Sequence, residues 1–139
     1  MSPVRMSKVE SGVRVVLAFS EAFNRHDVTA MVELVTDDCV LEQAVPAPDG
    51  AIHTGKDALA HYWQDFFETS SQASLSVEEI LGFGLHCVMR WRCDWVDAAG
   101  NAGHLRSLDL FEIRGGLICK IYAYVKGQGD DHRDAPSTA

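Results

Sequence analysis

Asp109 is the residue whose type and position point most directly to chemistry. It lies in a run of alternating residues in which Ser107, Phe111 and Ile113 share its face. Phe111 and Ile113 predict that this face looks into the core, so the carboxyl of Asp109 is expected there too. An unpaired buried carboxylate is costly, so the group either finds a partner or stays protonated and donates to a carbonyl or enolate oxygen. The alternative is a structural aspartate bonded to a neighbouring Ser, Tyr or Arg.

Three further polar side chains are candidates for the rim or wall of the same pocket. His53 precedes a predicted helix, where an imidazole suits acid–base work, although such a residue is often a solvated loop residue. Tyr62 could present its hydroxyl to the pocket or could belong to the core. Gln43 should point into the mouth of the fold, where an amide can orient a substrate but cannot act as a general base. Asp109, His53 and Tyr62 are therefore the predicted catalytic residues.

Large apolar side chains are expected to surround these groups. They come from the helices and strands assigned below, and their pattern fits either core packing or a pocket wall. The predicted substrate-binding residues are Phe19, Phe23, Gln43, Trp63, Phe67, Met89, Trp91, Phe111 and Ala123.

Three helices are predicted in the first half of the chain. Apolar residues at steps of three and four over residues 9–23 predict the first helix, preceded by a flexible lead-in at residues 1–7. Asp27 is a suitable N-cap for a second, shorter helix, which residues 36–38 are expected to close. Residues 54–57 open a third helix with a strongly aromatic stripe.

Beyond Ser71 the apolar period changes from 3.6 to 2, which predicts strands. The predicted strands are residues 39–43, 73–83, 85–96, 103–114 and 117–126. Helices followed by a run of strands favour an α+β fold with an antiparallel sheet. The polar residues 128–139 are expected to form a disordered tail.

Charge and hydropathy exclude several classes of function. Lys and Arg number 12 and Asp and Glu number 20, which gives a net charge of −8. Nucleic acids and anionic membrane surfaces both require a basic face, so we expect neither as a partner. No signal-peptide pattern and no spanning apolar run is evident, which predicts a cytoplasmic protein.

The cysteines and the other possible metal ligands give no sign of a metal or cofactor site. The four cysteines, at 39, 87, 93 and 119, lack zinc-finger and redox spacing, and we expect all four to be reduced. Residues 130–132 form an Asp-Asp-His patch in the tail without matching ligands. We expect no metal and no cofactor.

Four segments carry a resemblance to a known family. They are Ala-Phe-Asn-Arg-His-Asp at 22–27, Thr-Asp-Asp-Cys-Val at 36–40, Thr-Gly-Lys-Asp-Ala-Leu at 54–59, and Asp-Leu-Phe-Glu-Ile-Arg-Gly-Gly-Leu-Ile at 109–118. Residues 9–127 resemble the nuclear transport factor 2-like superfamily, and specifically a bacterial SnoaL-like domain, which we place at residues 8–127. The resemblance implies a cone-shaped α+β barrel in which three N-terminal helices pack on a curved antiparallel sheet. It also implies a homodimer formed through the convex sheet face.

The resemblance extends to some catalytic positions of relatives. Against ketosteroid isomerase, Asp109 matches the oxyanion-hole aspartic acid, whereas Phe19 replaces the oxyanion tyrosine and Gln43 replaces the aspartate base. Against limonene epoxide hydrolase, residues 92–94 echo the Arg-x-Asp pair, but Ala123 replaces the second aspartate. Neither of these two activities is therefore expected.

Two classes of function remain open. The first is a small-molecule enzyme of isomerase, cyclase or dehydratase type, which acts on a hydrophobic carbonyl compound by acid–base chemistry in an apolar pocket. Asp109 would polarise the carbonyl, and His53 or Tyr62 would assist proton transfer. The second is a non-catalytic module of the same fold that binds a small hydrophobic ligand.

Overall fold

A computed structural model describes the backbone of residues 3–127 and the side chains of residues 12–127. The helices are α1 (Pro3–Asn24), α2 (Val28–Glu33) and α3 (Lys56–Thr69). The strands are β1 (Val35–Glu42), β2 (Ile52–Thr54), β3 (Ser74–Phe83), β4 (His86–Val96), β5 (Ala102–Arg114) and β6 (Leu117–Lys126). The chain has the predicted α+β cone fold with three helices.

All six strands belong to one sheet, in the order β2-β1-β6-β5-β4-β3. Four of the five neighbouring pairs are antiparallel, as predicted, but β1 runs parallel to β6. The sheet is therefore mixed. Hairpins make neighbouring strands antiparallel, but a long connection through α3 and four further strands separates β1 from β6, so the hairpin rule does not apply to this pair.

The helices differ from the prediction at their ends. Helix α1 begins at Pro3, so residues 3–7 of the expected lead-in are helical, and proline is well suited to a first helical turn. The predicted cap of α2 is confirmed, because Asp27 accepts a hydrogen bond of 3.0 Å from the backbone N–H of Ala30. Residues 36–38 do not close α2. They lie in β1, which begins beside β6 as soon as the helix ends.

The end of α1 is fastened to the edge strand β3. The side-chain amide of Asn24 donates to the carbonyl of Leu75 at 2.9 Å and accepts from its N–H at 2.6 Å. The ring of His26 lies 2.8 Å from the carbonyl oxygen of Ala73 and stacks on Phe67 at 4.2 Å between centroids. These contacts fix α1 across the inner face of the sheet.

The inner and outer faces of β4 follow the predicted alternation. Its residues Cys87, Met89, Cys93 and Trp95 are buried, whereas Arg90 is exposed on the other side. Among residues 3–127, no helix is long and apolar enough to cross a membrane. Among the described side chains, those of residues 12–127, no cluster of three or more His, Cys, Asp or Glu could hold a metal. The predicted tail and its Asp-Asp-His patch lie outside the described residues.

Candidate functional site

A cavity of about 130 Å³ lies between the concave face of the sheet and helices α1 and α3. Helix α1 contributes two phenylalanines to the cavity wall, and α3 contributes three aromatic residues. The other lining residues belong to strands β1 and β3–β6 and to the first part of the loop that follows β1. The lining residues are Phe19, Phe23, Leu41, Gln43, Ala44, Val45, Tyr62, Trp63, Phe66, Leu75, Met89, Trp91, Cys93, Trp95, Leu105, Asp109, Phe111, Ile121, Ala123 and Val125. The wall is therefore mainly apolar and rich in aromatic rings.

Asp109 is a charged residue in the wall of this cavity. Its exposed fraction is 7%, and its Oδ1 accepts a hydrogen bond of 2.6 Å from the hydroxyl of Ser107. Burial raises the pKa of Asp109 from 3.8 to about 7, against the opposing effect of that hydrogen bond. The carboxyl therefore exchanges its proton close to neutral pH and can act as an acid or as a base.

The hydroxyl of Ser107 bonds one carboxyl oxygen of Asp109 and leaves the other, Oδ2, available for other partners. Since the hydroxyl donates to Oδ1, a proton bound to the carboxyl can reside on Oδ2. The same hydroxyl also lies 3.4 Å from the carbonyl oxygen of Tyr124, which is a second acceptor for its proton. This arrangement holds the carboxyl in place in both of its protonation states.

Among the described residues, no Lys, Arg or His side chain lines the cavity. The arginines of the neighbouring strands lie outside, where Arg92 pairs with Asp94 at 2.9 Å and Arg106 pairs with Glu78 at 3.2 Å. The Arg-x-Asp pair at 92–94 is thus an ion pair on the outer face of the sheet. Among the residues that the structure describes, Asp109 therefore has no cationic partner in the cavity.

Tyr62 lines the cavity, whereas His53 does not. His53 lies in β2, and its ring contacts the ring of Tyr62 at 4.9 Å between centroids and an interplanar angle of 38°. The Nε2 atom of His53 is buried without a hydrogen-bond partner among the described groups. The imidazole therefore lies outside the cavity lining and contacts the lining residue Tyr62.

The loop of residues 43–51, which we call the rim loop, borders the cavity through its first three residues. Gln43, with the two residues after it, lines the cavity. Its N–H donates to the carbonyl of Ala51 at 2.8 Å, and Gly50 closes the loop with φ +82°. A Cβ at Gly50 would lie 1.6 Å from the carbonyl oxygen of Gln43. This position requires glycine, and it fixes where Gln43 lies.

Most of the predicted wall residues meet in the cavity, and one does not. Phe67 is buried, but it packs edge-on against Phe23 and stacks on His26 instead of lining the cavity. Its neighbour Phe66 takes the wall position, because the cavity-facing side of α3 passes through Tyr62, Trp63 and Phe66.

Trp95 was not among the predicted binding residues, although its place on the inner face of β4 gave the necessary signal. It lies opposite Gly103, and a Cβ there would approach the indole to 2.8 Å. Glycine at position 103 therefore allows the Trp95 ring to lie flat on β5 and to form part of the wall.

Comparison with known proteins adds the family context. The sequence model of the SnoaL-like domain matches residues 16–121. No curated protein matches the chain. Among solved structures, an NTF2-like protein of unknown function from Mesorhizobium loti is 33% identical, with a TM-score of 0.73, over 86% of this chain and 94% of that chain.

Two more distant structures share the fold. IdmH, a candidate polyketide cyclase from Streptomyces antibioticus, is 19% identical with a TM-score of 0.72, over 83% of this chain and 91% of that chain. A protein with a ketosteroid isomerase-like fold from Catenulispora acidiphila, in complex with trimethylamine, is 15% identical with a TM-score of 0.72. That similarity covers 79% of this chain and 83% of that chain.

Proposed function

Since the chain belongs to the SnoaL-like domain family, we propose that it is a small-molecule enzyme that acts on a hydrophobic carbonyl compound by acid–base chemistry. One observation carries the proposal. The carboxyl of Asp109 lies in an apolar, aromatic cavity, and burial raises its pKa to about 7. A group with this pKa combines a proton to donate with a strong tendency to recover it near neutral pH.

The chemistry follows from the two oxygens of Asp109. Ser107 occupies Oδ1, so the protonated Oδ2 donates to the carbonyl oxygen of the ligand. This polarises the carbonyl and makes its adjacent C–H groups more acidic, which is the first requirement of isomerase and cyclase reactions. The proton that leaves the carbon passes to the hydroxyl oxygen of Tyr62, which releases its own proton to solvent, and Gln43 orients the ligand at the mouth. His53 assists only through Tyr62.

Deuterium exchange tests the enzymatic step directly. The probe is 1-indanone in D₂O near pH 7, where NMR follows the replacement of its C2 protons by deuterium. We expect wild-type protein to accelerate this exchange over protein-free buffer, and we expect Asp109→Leu to abolish the acceleration. Asp94→Asn, which changes an outer-face carboxylate on the same sheet, is the matched control and should leave the rate unchanged. Binding of 1-indanone without faster exchange would instead favour a binding module.

The second candidate is a non-catalytic module that binds a small organic cation. It is favoured because no described residue gives Asp109 a cationic partner within its aromatic wall, and such walls bind ammonium groups through their ring faces. The fold relative from Catenulispora acidiphila holds trimethylamine. A ligand ammonium group would supply the missing positive charge and would keep Asp109 ionised.

The pH dependence of binding separates the two candidates. A neutral ketone needs the protonated carboxyl, so 1-indanone should bind several-fold more weakly at pH 8 than at pH 6. An ammonium ligand needs the carboxylate, so 1-aminoindane should show the opposite trend. Asp109→Asn should remove both trends, and titration calorimetry at pH 6, 7 and 8 measures them. Tighter binding of 1-aminoindane as pH rises, with no binding of 1-indanone, would favour the cation module.

We further propose that the domain forms a homodimer through the outer sheet face. Apolar side chains there form a band across the sheet, and Leu108 and Tyr124 are 46% and 64% exposed. They lie opposite each other in the β5–β6 pairing, and Leu110 lies opposite Tyr122 in the next outward row. An exposed apolar band of this kind is typical of an interaction surface. Sedimentation equilibrium at micromolar concentration should give a dimer, and Leu108→Arg should give a monomer with an unchanged fold.

A further inference from the structure

The indole N–H of Trp91 is a buried donor whose acceptor is missing among the described residues. Leaving a buried N–H without a hydrogen bond is costly, so an unpaired donor in a cavity wall calls for an acceptor such as water, an ion or a ligand. Trp91 is half-buried and lines the cavity, so a ligand is one source of that acceptor.

The position of Trp91 offers a second acceptor. It lies opposite Ser107 in the β4–β5 pairing, and Met89, two residues earlier on the same face, lies opposite Asp109. The indole N–H is close enough to the carboxyl to lower the pKa of Asp109, opposing the effect of burial, although it does not reach the usual distance and angle of a hydrogen bond. The carboxylate is therefore a neighbouring acceptor for this N–H.

Building on the function proposed above, we propose that the indole N–H of Trp91 serves two acceptors in turn and thereby selects the ligand. When Asp109 is ionised, the indole N–H donates a hydrogen bond to its carboxylate. When Asp109 is protonated, the N–H and the Oδ2 hydroxyl both donate to one oxygen of the ligand. A carbonyl oxygen has two lone pairs and accepts both bonds, whereas a hydrocarbon or an ammonium group accepts neither. The ligand class is therefore a neutral, apolar ketone or enol.

The other titratable groups around Asp109 are few and can be separated from it. Cys93 on β4 lines the cavity, and burial raises its pKa to about 12, so it stays neutral between pH 5 and 8. Tyr62 on α3 also lines the cavity, and His53 lies behind it. The described lining residues of α1, β1, β3 and β6 carry no titratable side chain. A His53→Gln variant removes the imidazole and serves as the titration control.

The indole N–H signal of Trp91 in ¹⁵N–¹H NMR reports both acceptors. With the ligand-free protein, we expect this signal to move between pH 5 and 8 with a single midpoint near 7, to do so in His53→Gln as well, and to stay fixed in Asp109→Leu. At pH 6, 1-indanone should move the signal, whereas indane, the same skeleton without the oxygen, should leave it in place. Trp63→Phe and Trp95→Phe assign the three indole signals by loss. A Trp91 signal that ignores both pH and 1-indanone overturns the inference.

Affinities separate this inference from the function on which it rests. At pH 6, wild-type protein should prefer 1-indanone over indane, and Trp91→Phe should lower that preference about fivefold to tenfold, the loss typical of one hydrogen bond. Asp109→Leu should lower it at least as much. If only Asp109→Leu lowers the preference, the role of Trp91 is wrong while the proposed function stands. If wild-type protein shows no preference for the ketone, both fail. Should Trp91→Phe not fold, the wild-type indole signal decides the question alone.

Discussion

Replacing Asp109 with asparagine removes the ionisable group from the cavity while it keeps the size and the acceptor that Ser107 uses. In wild-type protein, the pKa of Asp109 is about 7 when folded and 3.8 when unfolded. Between those two pH values the folded state holds a proton that the unfolded state has lost, so stability falls as pH rises. One unit of pKa is worth about 1.4 kcal/mol, so the full loss from this group is about 4 kcal/mol. Below about pH 4 the loss is absent, and above pH 7 it is complete.

We predict the difference between the unfolding free energies of wild type and Asp109→Asn as a function of pH, because the other titrating groups affect both proteins alike. Relative to wild type, Asp109→Asn should gain roughly 3 kcal/mol of unfolding free energy between pH 5 and 8, since about two pH units of that range lie below the folded pKa. Urea unfolding at pH 5, 6, 7 and 8 measures this difference. Asp94→Asn, on the outer face, should follow the wild-type profile.

The opposite sign of the pH dependence would refute the reasoning. If Asp109 were a structural ion-pair partner, removing its charge would leave a buried cation unpaired, and Asp109→Asn would lose about 3–5 kcal/mol near neutral pH. A difference that is flat from pH 5 to 8 would show that the carboxyl is hydrated, and the acid–base role would then lack its physical basis.

Three further predictions concern the frame around the cavity. Gly50→Ala should distort the rim loop at Gln43, because its Cβ would overlap a backbone oxygen, and thermal unfolding should show a loss of more than about 1 kcal/mol with weaker 1-indanone binding. Gly103→Ala should displace the ring of Trp95, which the fluorescence spectrum and a lowered melting temperature would report; an unchanged spectrum would contradict this packing. Asp27→Ala should destabilise the protein by about 1 kcal/mol in urea titration through loss of the α2 cap, whereas Asp27→Asn should retain most of the stability.

The side chains of the inner wall were predictable where the periodicity of a single strand decides which of them face inward. In β5, the two-residue period alone places Asp109 beside Phe111, and both are buried. The same rule predicted the inner face of β4, including Trp91, but a period gives only the side of the strand and not the direction of an indole N–H. The missing acceptor of Trp91 is therefore a finding of the three-dimensional arrangement.

Features that depend on contacts between distant elements were not predictable. The aromatic stripe of α3 includes both Phe66 and Phe67, and only the packing of Phe67 against α1 decides which of them lines the cavity. His53 lies in β2, a strand of three residues that is too short to show a period, so its place behind Tyr62 had no sequence signal. The parallel pairing of β1 has the same origin, since it depends on a strand near the other end of the fold.

The parallel pairing of β1 with β6 also governs when the cavity can form. Leu41 and Ile121 are partners in this pairing although about 80 residues separate them along the chain. Bringing together two strands so far apart in sequence lowers the conformational entropy of the chain before the contacts between them are made. This pair is therefore expected to form late in folding. During synthesis the helices and the β3–β4 hairpin emerge first, and β1, with the rim loop that follows it, joins the rest of the sheet only when β6 pairs with it. The strand that completes the sheet thus also completes the cavity, and a nascent chain without it has no site for a ligand to stabilise.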